Sequence, residues 1–515
     1  MAKKREDKGR GNRKDGAGTG ICDLDNEYDS PVRSFRDLTL ENIRSLLLHS
    51  RYTQLLIALT LIGAILRFVN LGFNSLWLDE ASTYSFASMS LPGIWAATTG
   101  GEFNPPLFYW IEHLMLVFGN NETVLRFVPA LFGVLTIPLI YWVGKEFMDR
   151  NAGIIAAAAC AFSPFLIFYS QEARAYSMGL FLVTFSMVFF LKALKTNNAT
   201  HWALFGALSA LAYWTHFYTL VITGTLVLYA IFVKVTEWRT DLRSLKAAII
   251  GASTFVILSL PLLVLTVQLF AKRTEGGPTF GIQGAGIISE TFRQLSGFSE
   301  LVMVLFLILF VIGIIQALLL DRNKGLFLLA LTLLPFVISW FLSYRIPMQP
   351  RYLIILAPVY FVGIALSYKP VYSLLSSRKI IYAVMALLVV LSVTTPFFVG
   401  YYTSYSKEDW RGFAGQMRQA AQPGDILVLV PGYMSQPFTY YYSNATEGTF
   451  RYGAQSAEEL ASFAALNTTH AVYYIVTGDI SSADPSGGSV AWLQEHTKGV
   501  EATPGIYLFT PLRAG

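Results

Sequence analysis

Trp77-Leu78-Asp79-Glu80-Ala81 stands just beyond the first long apolar run of the chain, 53–70, and its reading decides the rest. Ionisable groups at a bilayer boundary are costly to desolvate, so two adjacent acids there need a reason. Two later stretches supply one. Asn104-Pro105-Pro106 and Gln171-Glu172-Ala173-Arg174-Ala175-Tyr176 bring more polar groups to the ends of apolar segments, and the three together suggest a polar reaction chamber in a membrane-embedded enzyme.

Outward from this stretch, the 515 residues are 54% hydrophobic, 15% aromatic and 14% charged, a balance that long apolar runs explain and a soluble core does not require. The net charge of +5 comes mostly from Lys3, Lys4, Arg5, Lys8, Arg10, Arg13 and Lys14. This basic, Gly-rich start, 1–52, reads as a disordered cytoplasmic tail that orients the first helix and can touch anionic membrane lipid. No nucleic-acid partner is expected. The first apolar run begins too far from Met1 for a secretory signal and should remain as an anchor. Cys22 and Cys160 are the two cysteines, one in the tail and one in an apolar run, which argues against a disulfide framework or a thiolate metal site.

Apolar stretches of about 17 to 25 residues are long enough to cross a bilayer, and Lys/Arg clusters set the side. Such clusters occur at Lys145 to Arg150, Lys192 to Lys195, Arg239 to Lys246, Arg322 to Lys324 and Lys369 to Lys379. Between them the spans read as 53–70, 123–144, 152–169, 175–194, 201–217, 218–235, 247–270, 300–320, 326–344, 352–368 and 380–400, about eleven in all. The 105–118 segment starts with two prolines, contains Glu112 and His113 and is short, so 71–122 reads as an external loop with interfacial helices. Asp79, Glu80, Asn104, Arg126, Glu172, Arg174, His216, Tyr218, Lys272, Arg273, Arg345 and Arg351 then all face outside. Cations there run against the usual bias and ask for an anionic ligand.

After 402 the hydropathy changes. Asp425 to Val430, Ala471 to Val476 and Ile506 to Thr510 read as strands, and Glu408 to Ala421 and Ser489 to His496 as helices, giving a small external α/β domain over 403–515 without a Gly-rich phosphate loop. Asn444-Ala445-Thr446 and Asn467-Thr468-Thr469 match glycosylation triplets, a short pattern that arises often by chance.

Each candidate residue has a bland reading beside the chemical one. Asp79 can be a general base, or it can cap a helix that begins at Glu80 or Ala81. Glu172 and Arg174 can arrange substrate or pair at a helix end, and Arg351 with Tyr352 can clamp a phosphate or anchor at the interface. His216, among Tyr213, Trp214, Phe217 and Tyr218, fits an aromatic belt as well as a substrate wall. Asn104 before two prolines also suits a turn. The long Gly-containing loop 271–298 is a candidate lid.

Trp77-Leu78-Asp79-Glu80-Ala81, Asn104-Pro105-Pro106-Leu107-Phe108-Tyr109-Trp110, Leu125-Arg126-Phe127, Tyr169-Ser170-Gln171-Glu172-Ala173-Arg174-Ala175-Tyr176 and Pro350-Arg351-Tyr352-Leu353, taken in this order, resemble the membrane glycosyltransferases related to protein O-mannosyltransferases and to the lipid A aminoarabinose transferase. The resemblance covers roughly 53–400 and implies the type C glycosyltransferase fold. It implies a polyprenyl- or dolichyl-phosphate sugar donor, inverting transfer at the external face of the plasma membrane, and a glycolipid, glycan or protein acceptor. It maps the catalytic base to Asp79, with Glu80 and Glu172 beside it. Arg174 and Arg351 lead as donor-phosphate ligands, followed by Arg126, Lys272 and Arg273; Asn104, Tyr176, His216, Tyr218 and Tyr352 are the substrate-contact candidates. No cofactor is required by these residues, although a divalent cation on Asp79, Glu80 and Glu172 is chemically possible. Eukaryotic protein mannosyltransferases carry a lumenal β-trefoil between spans, where this chain has only the 271–298 loop. A transporter or flippase of a lipid-linked sugar is the competing class. It calls for broken helices at mid-membrane and inverted repeats, which the sequence does not display.

Overall fold

The computed structural model describes residues 24–25, 39–100, 102, 104–237, 242–278, 280–466, 470–478 and 480–512. Lys3 to Lys14, Cys22, Arg239 and the Asn467 triplet lie outside the described residues; within 1–52 the structure corrects the expectation of disorder, since Leu40–His49 is a helix capped by Thr39.

Seven helices are long and apolar enough to cross a membrane: Arg51–Phe68, Glu122–Phe147, Tyr176–Thr196, Leu245–Thr274, Glu300–Leu320, Arg322–Leu342 and Pro350–Leu375. An eighth is a bent pair, Arg150–Phe162 and Pro164–Ser170, which meet at 59°. The other expected spans are helical but shorter: Ala199–Thr215, the apolar part Thr219–Val235, and Lys379–Val393 with its continuation Pro396–Tyr401. The architecture is a polytopic helical bundle, with seven or eight full-length spans among the described residues where the sequence suggested about eleven.

The bundle is ordered by burial. Glu122–Phe147, Tyr176–Thr196 and Pro350–Leu375 are mostly enclosed by protein, whereas Arg51–Phe68, Leu245–Thr274 and Glu300–Leu320 keep broad apolar faces exposed, as helices against lipid tails would. Small residues let the inner helices touch. Gly313 lies against the carbonyl of Gly363 and Gly206 against that of Gly251, so close that a methyl group at any of these positions would collide with its neighbour.

The bend after Phe162 has a chemical cause. Pro164 has no N–H for the Cys160 carbonyl, and a helix end exposes its last carbonyls. Arg67 supplies the missing donors: Nη2 donates to Cys160 O at 2.9 Å and Nη1 to Ala161 O at 3.0 Å, with the guanidinium fully buried. An arginine thus caps the broken helix from a different helix.

The end of the chain forms a five-stranded sheet of order β2-β1-β3-β5-β4, where β1 is Ile426–Val430, β2 Phe450–Gly453, β3 Val472–Thr477, β4 Thr497–Thr503 and β5 Ile506–Pro511. β1 runs parallel to β2 and β3, while β5 is antiparallel to β3 and β4. Every residue of β1 is buried, because Leu427 and Leu429 pack on Trp410, Phe413 and Phe438 while Val428 and Val430 face Leu460, Val472 and Leu493. β2, β4 and the helices Ser435–Tyr441 and Ala457–Ala464 add to the elements expected here.

This unit is fastened to the 71–122 segment. Arg411 pairs with Glu122 at 2.6 Å, Tyr441 OH donates to Glu122 Oε1 at 2.5 Å and accepts from Leu76 N at 2.8 Å, and Ser75 Oγ donates to Asp409 Oδ1 at 3.0 Å. The helix carrying Asp79 is therefore held from both the bundle and the sheet unit.

Candidate active site

The site begins with Arg126, whose five N–H groups are all used. Nε and Nη2 donate to the two oxygens of Glu80 at 2.7 Å each, Nη1 donates to the carbonyls of Leu71 and Asn74, and Nη2 also to that of Ser75. The chain is thereby wrapped around one guanidinium and turned into the helix Leu78–Ala87. Asp79 is not the cap of that helix. It lies in the first turn, and Glu80 takes the capping role by accepting from Trp77 N at 3.4 Å. Successive helical residues point about 100° apart, so one acid turns inward while the other faces open space.

Glu80 is the inward one and is fully buried. Burial alone would raise its carboxyl, but the charges of Arg126 and Lys407 outweigh that and hold it down at about 2. Glu80 and Arg126 therefore form a closed structural pair. This corrects the catalytic reading of Glu80 and the phosphate reading of Arg126: neither has an atom left to offer a ligand.

Asp79 lines a cavity of about 370 Å³, shared with Arg174, Arg351, Asn104, His216, Tyr218, Tyr352 and Arg273. Its Oδ2 is 3.4 Å from Arg351 Nη2 and 4.0 Å from Arg174 Nε. Arg174 also donates to Asp79 O at 3.2 Å, and its guanidinium lies over the Tyr176 ring. Arg351 lies over the rings of Trp77 and Tyr352, and its buried Nε has no hydrogen-bond partner among the described residues. Two guanidiniums loosely engaged by one carboxylate, beside an open volume, have the donors and the charge to hold an anion.

The wall opposite is aromatic. Tyr218 and Tyr352 stack at 4.8 Å, and the His216 ring lies 5.5 Å from Tyr176 and 5.6 Å from Tyr352. Burial, with the charges of Arg174 and Arg351 adding to it, pushes His216 down to about 3, so it presents a neutral imidazole. Asn104 Nδ2 donates to Glu102 Oε1 at 2.7 Å. Tyr176 is buried behind the wall, and Lys272 is exposed and outside this lining while its neighbour Arg273 belongs to it. Along one flank Thr266, Leu269, Phe270 and Phe280 give the cavity an apolar side. The 271–298 loop is tied down past Phe280: Ile282 N donates to Met348 O at 2.8 Å and Gly284 N to Ser343 Oγ at 2.8 Å. A lid spanning the whole loop does not fit these ties.

Glu172 lies in the unwound stretch before Tyr176 and is buried with Lys407 Nζ at 3.2 Å, the same distance that separates Lys407 from Glu80. Burial first, and the nearby Glu80 charge, raise its carboxyl despite Lys407. Asp79, Glu80 and Glu172 thus do not converge as one ligand set, because Lys407 and Arg126 already occupy two of them. Among the described residues no group of three or more His, Cys, Asp or Glu could hold a metal ion.

Sequence reasoning missed Lys407, Gln171, Glu102 and Gln436. Gln171 Nε2 donates to the carbonyls of Arg67 and Val69 at 3.1 and 2.9 Å, anchoring the stretch that carries Glu172 and Arg174. Lys407 could have been noticed as an isolated cation just past the last apolar helix, on the side assigned to the acids; Gln436 has no signal in the sequence.

Comparison with known structures gives the fold that holds these residues. ArnT from Cupriavidus metallidurans in the apo state superposes with a TM-score of 0.59 at 13% identity, over 90% of this chain and 99% of that one. The same protein bound to undecaprenyl phosphate gives 0.52 at 14% identity, over 90% and 99%. The fold is that of the type C membrane glycosyltransferases. The Archaeoglobus fulgidus oligosaccharyltransferase in the apo form shares this type C fold, with a TM-score of 0.53 at 13% identity over 91% of this chain and 75% of that one. Residues 104–264, part of the type C bundle, match the family model described as dolichyl-phosphate-mannose-protein mannosyltransferase. A protein of Aquifex aeolicus (strain VF5), itself uncharacterized, is 30% identical over 137 residues, 24% of this chain and 26% of that relative's length.

Proposed function

We propose that the chain transfers a sugar from a polyprenyl-phosphate carrier to an acceptor hydroxyl, with inversion, at the external face of the plasma membrane. The observation that carries this reading is the convergence of Asp79, Arg174 and Arg351 on one cavity with an apolar flank. An ionic end suits a phosphate and an apolar side suits an isoprenoid. The ArnT relative that binds undecaprenyl phosphate supports the same donor class.

In this scheme Arg174 and Arg351 hold the donor phosphate, with Arg273 at the rim. The guanidinium contacts of Asp79, at 3.4 and 4.0 Å, are too long to saturate its carboxylate, which takes the acceptor proton. The acceptor oxygen bonds to the anomeric carbon as the bond to phosphate breaks on the opposite face. The charge that develops on the leaving polyprenyl phosphate falls between two preorganised cations. Asn104, Tyr218 and Tyr352 shape the sugar subsite. The acceptor, a glycolipid, glycan or protein, enters from a second cavity of about 530 Å³ that Arg351 also lines, together with Trp77, Tyr169, Tyr405 and Lys407. The tail 1–52 is cytoplasmic, 53–402 is the catalytic membrane unit with the loop 71–122 external, and 403–515 is an external domain over the site.

Reconstitution in liposomes with labelled polyprenyl-phosphate sugars, scored for a new glycosidic bond, tests the reading. Relocation of label between leaflets without a new bond identifies a transporter instead. Transfer at the wild-type rate by folded Asp79→Asn removes the base assignment.

A further inference from the structure

Lys407 lies between the last membrane helix and the sheet unit, yet its ammonium is buried in the site. Nζ is 3.2 Å from Glu80 Oε2 and 3.2 Å from Glu172 Oε1, and it lies over the rings of Trp77 and Phe168. Its backbone is held in register, since Ser406 N donates to Asn74 Oδ1 at 3.0 Å and Arg411 N to Ser75 Oγ at 3.1 Å.

The two acids depend on it unequally. Glu80 keeps both of its bonds to Arg126 whatever happens at Lys407. Glu172 has Lys407 as its ion-pair partner, and its buried Oε2 has no hydrogen-bond partner among the described residues. The other cation whose charge acts on that carboxylate is Arg351: both line the second cavity, and the Arg351 Nε has no hydrogen-bond partner among the described residues. Arg351 and Lys407 also lie over the same Trp77 ring, at 5.4 and 5.5 Å.

We propose that Lys407 is a positioning residue: by holding Glu172, it keeps Arg351 turned toward Asp79 and the anion cavity. Without it, Glu172 is a buried acid lacking a counter-charge, and Arg351 is drawn off to neutralise it. The anion site then works with one guanidinium where two are needed. This rests on the phosphate-binding role given to Arg351 above, and it makes the C-terminal segment a working part of the site.

The test is the affinity of the purified full-length protein for undecaprenyl phosphate. Lys407→Met weakens binding on the order of tenfold, the size of one lost charge-assisted contact. Lys407→Arg stays within about threefold of wild type, and Lys407→Met/Glu172→Gln recovers most of the loss, because removing the stranded acid removes the pull on Arg351. A brace acting only through packing would not be rescued by the second substitution. Wild-type affinity in Lys407→Met, or a double variant as weak as the single, overturns the proposal. If Lys407→Met is too unstable to purify, the double variant decides alone: affinity within about threefold of wild type supports the proposal, and tenfold weakness overturns it. Arg351→Ala serves as the separate arm. Unchanged binding there defeats the phosphate reading itself, independently of Lys407.

Discussion

The bundle has an ionic cluster at each end, and the two are built differently. At the end where Glu122–Phe147 finishes, Asp149 caps the helix Arg150–Phe162 by accepting from Ala152 N at 2.9 Å, and it also binds Lys369 at 2.7 Å and Tyr368 OH at 2.8 Å. At the other end Asp79 meets its two arginines at 3.4 and 4.0 Å beside an open cavity. The first carboxylate is saturated by short contacts and holds helices together; the second is under-coordinated and faces space. Contact length and access, more than charge, separate a fastening from a carboxylate open to a ligand. The contrast recurs at its sharpest between the adjacent residues Glu80 and Asp79.

The contrast breaks most visibly at Asp79. Asp79→Asn lowers sugar transfer by roughly 10² to 10⁴, the worth of a general base, while thermal unfolding in detergent stays at the wild-type temperature. The neighbouring closed pair reverses those readouts. Arg126→Met leaves Glu80 with a buried charge less well compensated and lowers stability by about 3 to 5 kcal/mol, measured by denaturation. Arg351→Lys keeps the charge but loses the planar fork, and raises the KM for donor about tenfold with a smaller change in kcat. The smallest effect belongs to the far end. Lys369→Met, removing one partner of a carboxylate with several, costs about 1 kcal/mol of stability and leaves the transfer rate unchanged.

Acid titration sharpens the same comparison. Glu80 is depressed from its ordinary 4.5 to about 2, so its contribution is complete above pH 4.5 and is lost as pH falls toward 2. Stability against pH should fall through that window in the wild type. In Glu80→Gln the fall should be shallower, from a lower starting stability.

The helical bundle, the C-terminal α/β unit and the gathering of Asp79, Arg174 and Arg351 were legible because apolar run length and the placing of polar stretches between the runs are properties of the sequence alone. The difference between Asp79 and Glu80 was not. Helical phase there is set by Arg126 gripping the carbonyls of Leu71, Asn74 and Ser75, a tertiary contact with no local signature. The count of about eleven spans is matched by seven or eight full-length helices among the described residues, with Ala199–Thr215 and Lys379–Val393 apolar but short. β4, Thr497–Thr503, escaped notice because its middle residues are exposed and show no apolar alternation. Lys407 showed only as a lone cation past the last apolar helix, and its pairing with Glu80 and Glu172 left no trace because those acids lie hundreds of positions upstream.

Arg67 carries a consequence for how the protein is made. The first apolar helix leaves the ribosome with an arginine in its last turn, and the carbonyls that satisfy it are 93 and 94 residues further along. Until that later helix arrives, the guanidinium must stay hydrated at the lipid headgroups, so final seating of the first anchor waits for its downstream neighbour. Membrane integration of this chain is accordingly a concerted docking of early and late segments, with one cation as the catch.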